Sequence, residues 1–137
     1  MRNPMIWPLF AMVLLTLLVW IRLYQTRLAE MKQRRIHPQA VATSAQMATL
    51  EDTRAADNFR NLFELPVLFY AAMLLIIAGQ TETTALLALA WVFVALRYLH
   101  SYIHCTYNRV KDRFSAYLFS GLALWAIWGV LACSWLG

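Results

Sequence analysis

Apolar residues in this chain neither alternate with polar ones nor scatter; they run together in four long blocks, at roughly residues 5–23, 62–79, 84–102 and 114–136. Each block is about the 20 residues that a helix needs to cross a bilayer core about 30 Å thick. Strands of a membrane barrel would show segments of about 10 residues with apolar and polar positions alternating, and no such rhythm is present. The pattern predicts an all-α, integral membrane four-helix bundle. The first block ends in Trp20-Ile21-Arg22 without a small-residue cleavage pattern, so it reads as a retained anchor.

Between the blocks lie one long polar interval and two short ones. The long one, about 24–57, has helix formers on both flanks (25–35 and 49–60), which predicts that the first two helices extend beyond the membrane. Its centre carries Pro38, which reads as a break. The interval is too small for a second domain, and no internal repeat is evident, so residues 1–137 read as one transmembrane domain. Trp7, Trp20, Trp91 and Trp135 fall near predicted helix ends, where indole rings favour the headgroup layer, whereas Trp125 and Trp128 sit deeper.

Composition agrees with this picture: 61% of residues are hydrophobic and 14% charged. The net charge of +5 is unevenly placed. Arg22, Arg27, Lys32, Arg34, Arg35, Arg54 and Arg60 lie between the first and second blocks, and Arg109, Lys111 and Arg113 between the third and fourth. The turn at 79–84 and the C-terminus have no lysine or arginine, so the positive-inside rule predicts cytoplasmic basic loops and both termini on the opposite, periplasmic side. Contact with anionic lipid follows, and no basic-aromatic module points to nucleic acid. Cys105 and Cys133 fall near opposite ends of the bundle, too far apart for a disulfide, and read as free thiols. Arg109 and His104 near Cys105 also leave a reactive thiol open, against a small packing residue.

The chemistry concentrates where the second block begins, in Asp57-Asn58-Phe59-Arg60-Asn61-Leu62-Phe63-Glu64-Leu65-Pro66. Charge at membrane depth marks a candidate functional site. On a continuous helix Asp57, Asn61 and Glu64 share one stripe, Arg60 can pair with Glu64, and Pro66 predicts a kink. On the third helix Tyr98, Tyr102, Cys105 and Arg109 form one stripe and Arg97, Ser101 and His104 an adjacent one. A recess between these faces would offer cations, an amide, a carboxylate and phenols, which suits a small zwitterionic or anionic ligand. Structural readings stand beside this. Asn61 and Glu64 could equally be interhelical glue, worth about 0.6–2 kcal/mol a contact; Tyr98 and Tyr102 could belong to an interfacial belt; Arg97, Arg109, Lys111 and Arg113 could meet lipid phosphates. His100 and His104 have the spacing of a metal pair, but no third ligand is placed and no metal is expected.

Asn61-x-x-Glu64-x-Pro66 opening the second helix, with Arg97-Tyr98-x-x-x-Tyr102 and Arg109 on the third, resembles the MAPEG family, the membrane-associated proteins in eicosanoid and glutathione metabolism. The resemblance covers nearly the whole chain in length, helix order and motif placement. It implies a homotrimer of four-helix subunits, with up to three glutathione sites at subunit interfaces open to the cytosolic side. By that resemblance Asn61 and Glu64 hold the amino-acid ends of glutathione, Tyr98 and Tyr102 its backbone or carboxylates, and Arg109 its thiolate. The chain departs from the family pattern at Asp57, where glutathione-using members commonly carry arginine, and Arg60 stands where some members also place one. The expected function is a glutathione-dependent transferase or peroxidase of a bacterial-type inner membrane, acting on lipophilic electrophiles that arrive from the bilayer. The alternatives are a non-catalytic lipid-binding or scaffold protein of the same fold and a structural or transport-related trimer.

Overall fold

The computed structural model describes residues 3–136. Six helices follow in order: α1 (Ile6–Gln33), α2 (Ser44–Met47), α3 (Arg54–Asn61), α4 (Leu65–Gly79), α5 (Thr84–Cys105) and α6 (Val110–Leu136). A 3₁₀ turn, Pro38–Val41, precedes α2, and no strand occurs among the described residues. Helix α3 leads into α4 through a short break, and the two make one crossing. With α1, α5 and α6 this gives four helices long and apolar enough to span a bilayer, and the protein is a multi-pass membrane protein.

Short turns make successive crossings antiparallel. After α4 the chain reverses at Gln80, which takes a left-handed conformation (φ 51°). There Thr81 N–H donates to the Ile76 carbonyl and Gln80 N–H to that of Ile77, which satisfies two of the last helical carbonyls. Thr83 then caps α5, its hydroxyl accepting from Leu86 N–H at 3.2 Å. The α5–α6 turn lies at the opposite end with the 34–53 segment. This is the basic end of the bundle.

Between the crossings the core is apolar and close-packed. Phe69 of α4 stacks on Phe93 of α5 with ring centroids 4.5 Å apart, and Met12, Met73, Ile76, Leu124 and Ile127 close around them. The outward faces are also apolar: Trp7, Leu14, Leu18, Leu74, Val92, Phe119 and Leu122 are exposed on the protomer. Inside and outside differ little in polarity because lipid tails are as apolar as leucine, so packing rather than water exclusion holds the helices together.

The 28 residues of α1 span about 42 Å, well beyond the bilayer core, so its last turns project past the basic end. The following segment, residues 34–53, folds back as an ordered strap. Thr43 and Gln46 form a complete capping box at α2, and Val41 and Leu50 are buried anchors. Glu30 on α1 accepts the backbone N–H groups of Glu51 (2.7 Å) and Asp52 (3.3 Å) and pairs with Arg34 (2.7 Å). Arg54 grips Asp52 at 2.9 and 3.0 Å, holding that carboxyl below the usual carboxylate range, and donates to the Thr106 carbonyl at 2.6 Å. One carboxylate thus ties the strap to α1, and one guanidinium ties it to the α5–α6 turn.

Because Glu30 supplies charge-assisted acceptors to otherwise free N–H groups, its loss should loosen the strap and spare the bundle. In Glu30→Ala, trypsin is expected to cut after Arg34 or Arg35 roughly tenfold faster, with helix content by circular dichroism unchanged. Equal cleavage rates would refute this account of the strap.

Candidate functional site

The second crossing is broken where the sequence predicts a kink. Helix α3 stops at Asn61, Glu64 sits outside helical geometry (φ −96°, ψ −108°), and Pro66 lies in the first turn of α4. Proline has no N–H to give to the Leu62 carbonyl four residues back, so the chain tightens into three-residue turns, with Phe63 N–H on Arg60 O (3.0 Å) and Glu64 N–H on Asn61 O (3.4 Å). Pro66 therefore restarts a helix at its favoured first turn instead of bending a continuous one. The break also interrupts the stripe expected of Asp57, Asn61 and Glu64.

The backbone loosened by the break is met by a cation. Arg97 of α5 is wholly buried and donates from Nη2 to the Asn61 carbonyl at 2.9 Å. Its guanidinium carbon stands 5.5 Å from the centroid of the Tyr117 ring on α6, within reach of a cation–π contact. The Tyr117 hydroxyl faces Glu64 Oε2 at 3.5 Å. With its amide nitrogen turned toward Glu64, as the bonding pattern requires, Asn61 donates to both carboxylate oxygens at 3.3 and 3.2 Å. Asn61, Glu64, Arg97 and Tyr117 are thus one cluster. Glu64 is its exposed rim and Arg97 its buried floor.

Below the cluster, toward the basic end, a second polar layer lies between α3, α5 and α6. Asn58, 0% exposed, accepts from the Ser101 hydroxyl at 3.2 Å and donates to Cys105 Sγ at 3.5 Å. His100 Nδ1 meets the Arg113 carbonyl at 3.1 Å, and the His100 and His104 rings stand edge to face, 5.5 Å apart. Arg97 Nε and Nη1, His100 Nε2 and His104 Nδ1 are buried without a protein partner. Such atoms need water or a ligand, and an arginine with two free donors beside a carboxylate suits a group carrying both charges. No group of three metal-ligating side chains occurs among the described residues.

The residues singled out from sequence divide into separate places. Asn61 and Glu64 meet in the cluster. Arg60 is turned to another face, where it pairs loosely with Asp57 at 3.9 Å and not with Glu64. Tyr98 points to α1 and donates to the Ala11 carbonyl at 2.7 Å. Tyr102 is 64% exposed on the outside of α5. Arg109 is exposed in the α5–α6 turn, while Arg113 is engaged with Asn108 at 2.6 Å. Arg97 and Tyr117 complete the cluster but were not among the expected ligands. The signal for Arg97 was present, a charge in mid-block at the spacing of His100, Ser101 and His104, all of which are buried. Nothing local in the sequence marks Tyr117, whose role depends on the crossing of α6 over the break.

Removing the guanidinium takes a donor from the Asn61 carbonyl at membrane depth, and a buried acceptor that loses its partner costs about 1–3 kcal/mol. Arg97→Met is therefore expected to melt lower by that order, and Arg97→Ala to lose about 2 kcal/mol more through the cavity it leaves. Thermal unfolding in detergent reads both; an Arg97→Met variant as stable as the native protein would refute the bracing role of this contact.

No curated protein and no solved structure gives a significant match to the chain. One family model, described as MAPEG family, matches residues 5–133, nearly all of it, and the chain belongs to the MAPEG family.

Proposed function

We propose that the protein is a glutathione-dependent transferase or peroxidase that acts on lipophilic electrophiles delivered by the bilayer. The observation that carries this reading is the pairing of an exposed acidic rim, Glu64 with Asn61, to a buried arginine floor whose Nε and Nη1 have no protein partner. Glutathione carries one ammonium and two carboxylates. Its ammonium fits Glu64, and a carboxylate fits the free donors of Arg97, each a charge-assisted contact. Arg109, exposed in the α5–α6 turn, is assigned to the thiol. A guanidinium there favours the thiolate and lowers the thiol pKa, raising the fraction of nucleophile near neutral pH. In conjugation the thiolate sulfur forms a bond to the electrophilic carbon, whose leaving group departs with its electron pair. In peroxide reduction the sulfur takes the distal oxygen, the alkoxide collects a proton, and a second glutathione converts the sulfenic acid to disulfide and water.

In this reading Tyr102, exposed on α5, meets ligand or subunit across a homotrimer interface, and Tyr98 braces α5 against α1. Arg60, which opens onto a different recess, is assigned no contact with the tripeptide. The basic end is placed in the cytoplasm and both termini in the periplasm of an inner membrane, in accord with the lysine and arginine distribution. The 137 residues act as one domain. A second reading, a lipid-binding protein without catalysis, is favoured by Asp57 and by the apolar groove between α1 and α4, bordered by Val13, Leu17, Tyr70 and Leu74.

Isothermal titration of glutathione into the detergent-solubilised protein is expected to show saturable binding that weakens about tenfold or more in Asn61→Ala and Glu64→Gln. Arg109→Ala should retain binding and conjugate an aryl halide roughly a hundredfold more slowly. Absence of binding at millimolar glutathione would eliminate the reading. Chemical cross-linking in native membranes should produce bands up to a trimer and no further; a monomer throughout speaks against interfacial sites.

A further inference from the structure

The α5–α6 turn has no side chain of its own in the core: Thr106, Tyr107, Arg109 and Val110 are exposed and Asn108 is half-buried. Packing therefore does not fix the turn, and its course is set by polar contacts. Asn108, in the left-handed conformation (φ 48°), turns its N–H back to the Ile103 carbonyl at 2.8 Å and so ends α5. Its side-chain oxygen accepts from Arg113 Nη1 at 2.6 Å, which ties the turn to the start of α6. The other tie comes from across the bundle. The Thr106 carbonyl, just past α5, has no helical N–H to accept from and takes one from Arg54 Nη1 at 2.6 Å, a cation at the negative end of a helix dipole.

Arg54 is itself held. Asp52 grips its guanidinium through Nε and Nη2 at 2.9 and 3.0 Å and accepts its backbone N–H at 3.2 Å. Glu30 in turn accepts the N–H groups of Glu51 and Asp52, so a line of charge-assisted contacts runs from α1 through the strap to the turn. Stability explains that line poorly. The side chains of Arg54 and Asp52 are 42% and 31% exposed, and an ion pair so open to water contributes little to folding. What the line does is fix direction, since a guanidinium gripped on one edge has its remaining N–H groups aimed by the planar fork. Arg109 lies in the segment pinned at Thr106 and Asn108, is exposed, and joins none of the ion pairs among the described residues. A free guanidinium on a backbone tied at both sides is a preorganised charge.

We infer that Arg54 is a positioning residue: by joining the strap to the Thr106 carbonyl it holds the α5–α6 turn and so aims Arg109 at the thiol, a role that rests on the glutathione reading. A change at the strap reaches the thiolate through this one guanidinium. Glu30 and Asp52 act on the site only by way of Arg54.

Limited trypsin cleavage after Arg109 or Lys111 needs no ligand and reads the turn directly. In Arg54→Ala it is expected to run roughly tenfold faster, and in Arg54→Lys, which keeps a donor for the carbonyl, close to the native rate. Equal rates in Arg54→Ala and the native protein would overturn the inference, whether or not glutathione binds. With glutathione bound, the ultraviolet absorbance of the thiolate reads the aim of Arg109. A misdirected guanidinium leaves the thiol pKa higher, so in Arg54→Ala the thiolate fraction near neutral pH should fall about tenfold and the acid limb of the kcat profile should move to higher pH, with KM changed by less than about twofold. Arg54→Lys should restore both. Phe93→Leu, which weakens the core away from the turn, should lower the melting temperature and leave the thiolate fraction as it is. An unchanged thiolate fraction in Arg54→Ala, or one lowered equally by Phe93→Leu, would overturn the positioning role. A native protein that binds no glutathione sinks the glutathione reading, and the trypsin rates still decide whether Arg54 holds the turn.

Discussion

Inside a bilayer no water is available to rescue a backbone group that loses its partner, so every interruption of a spanning helix must be answered by another part of the protein. Pro66 imposes such an interruption. It removes the donor for the Leu62 carbonyl, the chain tightens over Leu62–Glu64, and the Asn61 carbonyl turns to the guanidinium of Arg97. A neutral donor would meet that carbonyl at lower desolvation cost. Arginine brings four further N–H donors to the same place, more than the Asn61 carbonyl can accept, and the surplus charge is held by the Tyr117 face and the nearby acidic rim.

From that contact the polar architecture of the basic half follows. Arg97 is at membrane depth, and the residues one turn and two turns along the same face of α5, His100, Ser101 and His104, are buried with it. Some find protein partners, in Arg113 O and Asn58 Oδ1; others do not. A layer half-satisfied by the protein is weak as a stabilising device and well suited to receiving water or a polar ligand. The apolar half, built around the Phe69–Phe93 stack, carries the packing that the polar half gives up.

The architecture was largely legible before any coordinates, and the reason is physical. Block length counted against bilayer thickness is a one-dimensional measurement, so the four crossings and the extension of α1 past the membrane could be read directly. The break was legible only in kind: Pro66 announced a disturbance, but a kink and a helix restart look alike until the hydrogen bonds of Phe63 and Glu64 are placed. The cluster was half legible. Asn61 and Glu64 are three residues apart, and local spacing brings them together; Arg97 and Tyr117 reach them only through the packing of α5 and α6 against the second crossing. Tyr98 and Tyr102 show the converse. Helical spacing put them on one stripe, yet that stripe runs from the α1 contact of Tyr98 to the open surface at Tyr102 and misses the cluster.

Asp57 gains a different meaning from its surroundings. Considered as a letter in a motif it is a negative charge where the family resemblance implies a positive one, and it would repel a nearby carboxylate. In the fold the Asp57 carboxylate borders a recess beneath the strap with Arg60 and Arg27, separate in its lining from the Asn61–Glu64 cluster. Its first electrostatic effect is therefore on that recess. The carboxylate stands 3.9 Å from Arg60 and has no contact with Arg27, so it offsets one of the two positive charges that border the recess and leaves the other free.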